Sequence, residues 1–277
     1  MLTVEQKAQQ ELNEPADPAQ RLAAIAHVYD AFVAQHGAGL ASFLLNGSSS
    51  TGGVEDRDEA VLRFLRVRKY DEARTLQLMA HFAAYKRDYA SFFFVSPPGD
   101  EGANALRAMY AQRVVGVLPQ TSKDGCIVMY LRLARIDFAR YTIADVFRGM
   151  LIFHTEIMRD PRVQTHGLRI IQNLDGLSLM FFRHAGADDR KSMFAWIQDS
   201  MPARVKGLHV LHHGFIFSVL FGLISPLLSA KMRSRFRLCG NDASGVADYI
   251  DPTNVPDEVE GGRLPMDSVQ WQPRFLS

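Results

Sequence analysis

The side chains with the most chemical reach sit in and around one charge-free run. Between Lys206 and Lys231 no residue carries a formal charge at neutral pH, and the run holds His209, His212 and His213. Three close imidazoles raise the question of a metal. On a strand, 209 and 213 share a face while 212 opposes them, which is poor convergence for a tetrahedral site, and no Cys or carboxylate lies nearby in sequence. No metal site is expected. Catalytic constellations are equally thin: there is no Gly-x-Ser-x-Gly elbow, no His-Glu-x-x-His and no Gly-rich phosphate loop. Asp188-Asp189 reads as a helix start, where carboxylates suit the dipole. The chain is therefore not read as an enzyme. The cations say more. Arg204 and Lys206 precede the run, and Lys231, Arg233, Arg235 and Arg237 follow it. Guanidinium groups suit forked phosphate contacts, and the plain alternative is a solvated basic rim.

The run itself must be placed on elements. Roughly 20 apolar residues suffice to cross a bilayer, but three histidines, Gly214, Gly222 and Pro226 interrupt this stretch. Strand, break, helix, break, helix fits better. Leu208 to Leu211 is short and apolar, bounded by Gly207 and the His-His-Gly turn, as a buried strand would be. Phe215 to Ile224 is apolar nearly all round, so as a helix it needs cover on every side. Ser225-Pro226 pairs an N-cap with a first helical residue.

The remaining elements follow from caps and periodicity. Asp17-Pro18, Asp56 and Asp71 open three helices in the N-terminal third, the first closing at Gly37. Residues 46–53 read as a flexible linker and Ser96-Pro97-Pro98-Gly99 as a stop. Beyond these the pattern alternates. A strand covers Cys126 to Leu133, a Thr142-capped helix runs to about Arg159, and a strand covers Gly167 to Leu174. A helix covers Asp188 to Ser200, and the last strand covers Arg235 to Cys239. Such alternation predicts an α/β fold with a partly parallel sheet. The expected division is a helical domain over 1–110 and a sheet-and-helix domain over 111–277.

Composition sets bounds. The chain has 277 residues, 47% of them apolar, and a net charge of +1. Nothing in that balance favours a nucleic-acid partner. Cys126 and Cys239 lie in apolar runs without framework spacing, and the N-terminus has no signal-peptide pattern. Both point to a cytoplasmic protein.

Several motifs then fall in order. Leu62-Arg63-Phe64-Leu65-Arg66-Val67-Arg68-Lys69-Tyr70-Asp71 resembles the "L-R-F-L-R-A-R-x-F-D" signature of the CRAL-TRIO, or Sec14-like, lipid-binding family. Tyr141 to Arg148, Leu174-Asp175-Gly176, Met201 to His209 and Ser225-Pro226-Leu227-Leu228 follow with the spacing of its tocopherol- and retinaldehyde-carrier branch. Two places depart from the pattern. Asn173 stands where the family usually has Asp. Val255-Pro256-Asp257-Glu258-Val259-Glu260-Gly261-Gly262 lacks the family's aromatic and is one residue longer.

The resemblance implies a helical N-terminal domain, a lipid-binding domain with a deep apolar cavity, and a movable lid helix. Carried over position by position, the cavity is lined by Phe147, Met150, Leu151, His154, Leu168, Met193, Trp196, Ile197, Val205 and Leu208. The lid residues are Phe215, Ile216, Phe217, Leu220, Phe221 and Ile224. A phosphoinositide headgroup is held by Arg68, Arg204, Lys231 and Arg235. His154 is the strongly polar member of the cavity set; it either meets a ligand oxygen or is satisfied within the protein. The implied function is transfer of one hydrophobic lipid, tocopherol-, retinoid- or phospholipid-like, by a monomer that binds phosphoinositide membranes reversibly. The alternative is a lipid-gated adaptor read by a protein partner. No cofactor other than the bound lipid is expected.

Overall fold

Side-chain caps set the N-terminal helices. Thr3 and Gln6 form a reciprocal capping box that opens α1 (Val4–Leu12). Asp17 accepts from the Ala19 amide at the start of α2 (Pro18–Leu45). Asp56 opens α3 (Arg57–Arg68) and Asp71 opens α4 (Glu72–Asp88), as the sequence predicts. Gly37, at φ 79° and ψ 156°, closes the first helical stretch as expected, and a second stretch follows directly to Leu45. The short α5 (Ala90–Phe93) and α6 (Glu101–Tyr110) follow. The structure, a computed structural model, describes residues 2–45, 55–93, 101–177, 184, 186–225, 228 and 230–274. The expected linker at 46–53, the stop at 96–99 and Pro226, expected as a first helical residue, lie outside the described residues.

Packing divides the chain into two compact units, each gathered from three stretches. The first comprises Met1–Leu106, Phe147–Thr165 and Ala187–Arg204. It contains most of α7 (Ile143–Ile157), α8 (Pro161–Thr165), α9 (Ala187–Ala195) and a π-helical turn at Trp196–Ser200. Trp196 is completely buried there, with the rings of Tyr85, Phe93 and Phe82 at 5.3, 5.8 and 6.0 Å. Two forked ion pairs fix the segments at Glu55 and Glu14 to α3. Arg63 is forked onto Glu55 at 3.1 and 3.2 Å, and Arg66 onto Glu14 at 2.7 and 2.9 Å. These arginines belong to the opening motif and serve packing.

The second unit comprises Arg107–Val146, His166–Gly186 and Val205–Ser277. Among the described residues its sheet has five strands: β1 (Val115–Val117), β2 (Ile127–Leu131), β3 (Leu168–Asn173), β4 (Val205–Leu211) and β5 (Phe236–Leu238). They lie side by side in chain order; β1 runs antiparallel to β2 and the other pairs are parallel. The partly parallel sheet expected from alternation is present. One face, through Val128, Tyr130, Ile171 and Leu211, packs against Val246, Ile250, Val255, Val259, Leu264 and Val269 of the C-terminal segment. That segment is built from 3-10 turns, which no periodicity announces. Within the second unit it covers one sheet face completely enough that Tyr130, Ile171 and Leu211 have no exposed surface.

Candidate functional site

The other face of the sheet carries the candidate lipid positions of this unit. Val205 and Leu208 are three apart on β4 and would face opposite ways on a regular strand. A bulge changes that. Leu168 pairs with Val205, but Arg169 pairs with Gly207 and Ile170 with Leu208, so Lys206 is the extra residue. Val205 and Leu208 thereby share the face of Leu168 and Ile170. Leu208 also pairs with Phe236 of β5, and the Phe221 ring packs on Phe236 at 4.8 Å. Phe221 belongs to α10 (Gly214–Ile224), the helix expected as a lid. It stacks on Phe217 at 5.8 Å. The structure thus brings α10 to the sheet face that carries Leu168, Val205 and Leu208. Phe215, at the start of α10, is 83% exposed. Ile216, Leu220 and Ile224 lie on the same helix; their side chains are outside the described residues.

In the first unit, Phe147, Met150, Leu151 and His154 fall on one face of α7, spaced three and four apart. Phe147, Leu151 and His154 are buried and Met150 is half-buried. Trp196 donates its indole N–H to His154 Nδ1 at 3.3 Å. Met193 is half-buried on α9, whereas Ile197, one residue past Trp196, is 40% exposed. Burial lowers the His154 pKa to about 4, and its Nε2 is buried without a hydrogen-bond partner among the described residues.

The four matched cations have different settings. Arg68 ends α3 half-buried, its Nε buried without a hydrogen-bond partner among the described residues. Burial first, then the charge of Arg74, lowers its pKa, with Asp199 and Asp71 opposing. Arg204 donates to the Thr165 carbonyl at 2.8 Å. Lys231 is exposed on the short helix α11 (Ala230–Arg233). Arg235 is half-buried just before β5, and its carbonyl accepts from the Leu208 amide at 2.9 Å.

The histidines of the charge-free run have separate duties. His209 is fully buried in the second unit, with Arg169 Nη1 3.2 Å from its Nε2 and Cys239 Sγ 3.8 Å from its Nδ1. Arg169 is forked onto Asp124 at 2.9 Å and lies 4.1 Å from the Tyr249 ring centroid. Burial, then the Arg169 and Arg237 charges, lowers the His209 pKa to about 4, while burial raises that of the Cys239 thiol. This is a packed core cluster with no thiolate nucleophile. His212, at φ 53°, shares a hydrogen bond with Asn173 Oδ1 at 3.1 Å. Asn173 also donates to the Tyr130 hydroxyl, which donates to Glu258, and Arg132 and Arg135 pair with Glu258. The two departures from the family pattern therefore meet. The amide at 173 and the carboxylate at 258 bracket one tyrosine, and the chain of bonds ends at the turn leading into α10. Sequence reading missed this relay because its members lie far apart along the chain. Among the described residues, no three His, Cys, Asp or Glu side chains gather as a metal site requires, and no helix is long and apolar enough to cross a membrane.

Comparison with known proteins matches this arrangement. The crystal structure of Sfh5 shares the fold, with a TM-score of 0.62 at 12% identity over 95% of this chain and 96% of that one. Human alpha-tocopherol transfer protein-like is 30% identical over 220 residues, which span 79% of this chain and 63% of that protein. Rat clavesin-1 is 28% identical over 225 residues, 81% of this chain and 63% of that protein. The chain thus aligns with less than two thirds of the length of these relatives. The CRAL/TRIO domain description matches residues 111–261, more than half of the sequence, and the chain belongs to the CRAL/TRIO family.

Proposed function

We propose that this protein binds one hydrophobic lipid under α10 and exchanges it at membranes bearing phosphoinositides, and that it is a carrier and not an enzyme. The observation that carries the reading is α10 itself. It is a helix without charge, packed through Phe221 on the sheet face of Leu168, Val205 and Leu208, and it holds Phe215 83% exposed. An apolar face with few polar groups is what a lipid site needs. The cavity set is proposed as Phe147, Met150, Leu151, His154, Leu168, Met193, Trp196, Ile197, Val205 and Leu208. When α10 swings away, its apolar side chains enter the bilayer interface as an amphipathic anchor does. A lipid leaving a bilayer unaided loses about 0.8 kcal/mol per buried methylene, and a carrier that offers apolar walls at the surface lowers that barrier. Arg68, Arg204, Lys231 and Arg235 are proposed to recognise the headgroup phosphates. Two relatives named above are similar in sequence, and the name of one refers to tocopherol transfer; a neutral isoprenoid lipid is in keeping with that likeness.

The test is transfer of a fluorescent tocopherol or retinoid analogue between vesicles, with native mass spectrometry of the loaded protein. One lipid per chain and protein-dependent transfer are expected, faster when acceptor vesicles contain phosphoinositide. Stable lipid binding without any transfer, together with capture of a partner only in the loaded state, would instead make this an adaptor.

A further inference from the structure

The Trp196–His154 pair fixes the ligand chemistry more closely than the cavity set does. An indole N–H is a donor only. Trp196 directs it at His154 Nδ1, 3.3 Å away, and both side chains are buried. The rings of Tyr85, Phe93 and Phe82 hold the indole in place at 5.3, 5.8 and 6.0 Å. Nδ1 must therefore present its lone pair, which leaves the ring hydrogen on Nε2. Burial keeps the imidazole neutral, with a pKa of about 4. Nε2 is itself buried and meets no acceptor among the described residues. Buried polar atoms are nearly always paired, so one that is not calls for a partner of another kind. On the same helix face lie the buried Phe147 and Leu151, which offer no polar atom.

We infer that His154 orients the bound lipid by donating its Nε2 hydrogen to an acceptor oxygen of a neutral molecule: an ester, aldehyde, ketone, ether or hydroxyl oxygen. The inference rests on the lipid-binding reading above and narrows it. A plain hydrocarbon leaves the donor unsatisfied. A fatty-acid anion accepts the hydrogen but brings a charge that the neutral ring cannot balance, at a high desolvation cost. His154 is thus a specificity-determining residue that selects for the kind of oxygen the lipid carries.

The experiment uses the full chain and two probes of matched length, methyl palmitate and an alkane, with affinities measured by competition against a fluorescent lipid. Leaving a buried donor unpaired changes a binding ratio by roughly fivefold to a hundredfold. The ester-to-alkane affinity ratio of the wild type should exceed that of His154→Leu by at least about fivefold, within that range. His154→Gln, which keeps an N–H donor, should recover part of the difference. A measurement without substitution runs alongside: in ¹⁵N-histidine-labelled protein, the His154 Nε2 resonance should move on loading methyl palmitate and stay in place on loading the alkane. If both probes bind but neither the ratio nor the resonance responds, the inference is overturned while the lipid-binding reading stands. If the fluorescent lipid binds but neither probe displaces it, the inference is overturned; if the fluorescent lipid does not bind either, the lipid-binding reading falls and the inference with it.

Discussion

Two buried histidines give this fold a pH dependence whose direction is fixed. His154 and His209 both have pKa values lowered from 6.5 to about 4, chiefly by burial, with Arg169 and Arg237 adding to the effect at His209. Between those values the unfolded chain takes up protons that the folded chain refuses. The contribution of these two groups is therefore complete above pH 6.5 and is lost as pH drops towards 4, each with a slope of about 1.4 kcal/mol per pH unit across the window. Urea unfolding from pH 7.5 to 4.5 should show this decline, and His154→Gln should roughly halve the slope that the two residues produce. A stability that rises as pH falls through the window would mean that these rings are charged when folded. Gly207 shows how tightly His209 is set. A Cβ there would stand 2.7 Å from Arg169 Nη1 and 2.8 Å from His209 Nε2. Arg169 cannot yield freely while it is forked onto Asp124 and stacked on Tyr249. Gly207→Ala should cost roughly 1–3 kcal/mol by overpacking, measured as a shift of the unfolding midpoint. An unchanged midpoint would show that the cluster is loosely held. The sequence gives the histidines but not this arrangement, since Asp124, Arg169, His209 and Tyr249 come from four distant stretches.

At the scale of elements, the sequence announces helices best where a side-chain cap meets periodicity. Asp56 and Asp71 mark α3 and α4 at their first residues. It announces β4 less well. The strand starts at Val205, three residues before the expected Leu208, because the bulge lets polar Lys206 sit in the strand without turning Val205 off its face. A bulge depends on the partner strand and leaves no local mark. The apolar α10 is read correctly as a helix, and its surface makes a prediction. Phe215 is 83% exposed, so Phe215→Glu removes no packing and should move thermal stability by less than about 0.5 kcal/mol. On the membrane reading the same change places a charge in the bilayer interface and should weaken vesicle binding several-fold in a flotation or sedimentation assay. Undiminished vesicle binding would remove α10 from the membrane contact.

For the whole molecule, the chain order hides the assembly. Phe147–Thr165 and Ala187–Arg204 fall within the stretch matched to the CRAL/TRIO domain, yet they pack with the N-terminal helices. Helical periodicity shows that α7 has a buried stripe without naming its partner. Tertiary contacts decide it, for example the edge-on approach of the Phe92 and Phe147 rings at 6.2 Å. The headgroup proposal likewise draws on the whole chain, with Arg68 and Arg204 in the first unit and Lys231 and Arg235 in the second. The two pairs meet the fold in different ways. Arg204 holds the Thr165 carbonyl, so its loss costs about 1 kcal/mol of hydrogen bonding before any ligand is considered. Lys231 is exposed on a four-residue helix, and the β-strand bond at Arg235 is made by its backbone. Lys231→Ala with Arg235→Ala leaves the Arg204–Thr165 bond and the backbone bond at Arg235 in place. Release of a preloaded fluorescent lipid should be faster on vesicles containing phosphoinositide than on neutral ones. The advantage should shrink as ionic strength rises, since screening length falls to about 10 Å at 0.1 M salt. The double variant should lose the acceleration and keep its affinity for the lipid in solution. A parallel fall in both quantities would mean that these side chains support the lipid site or the fold, and the headgroup role would have to pass to other residues.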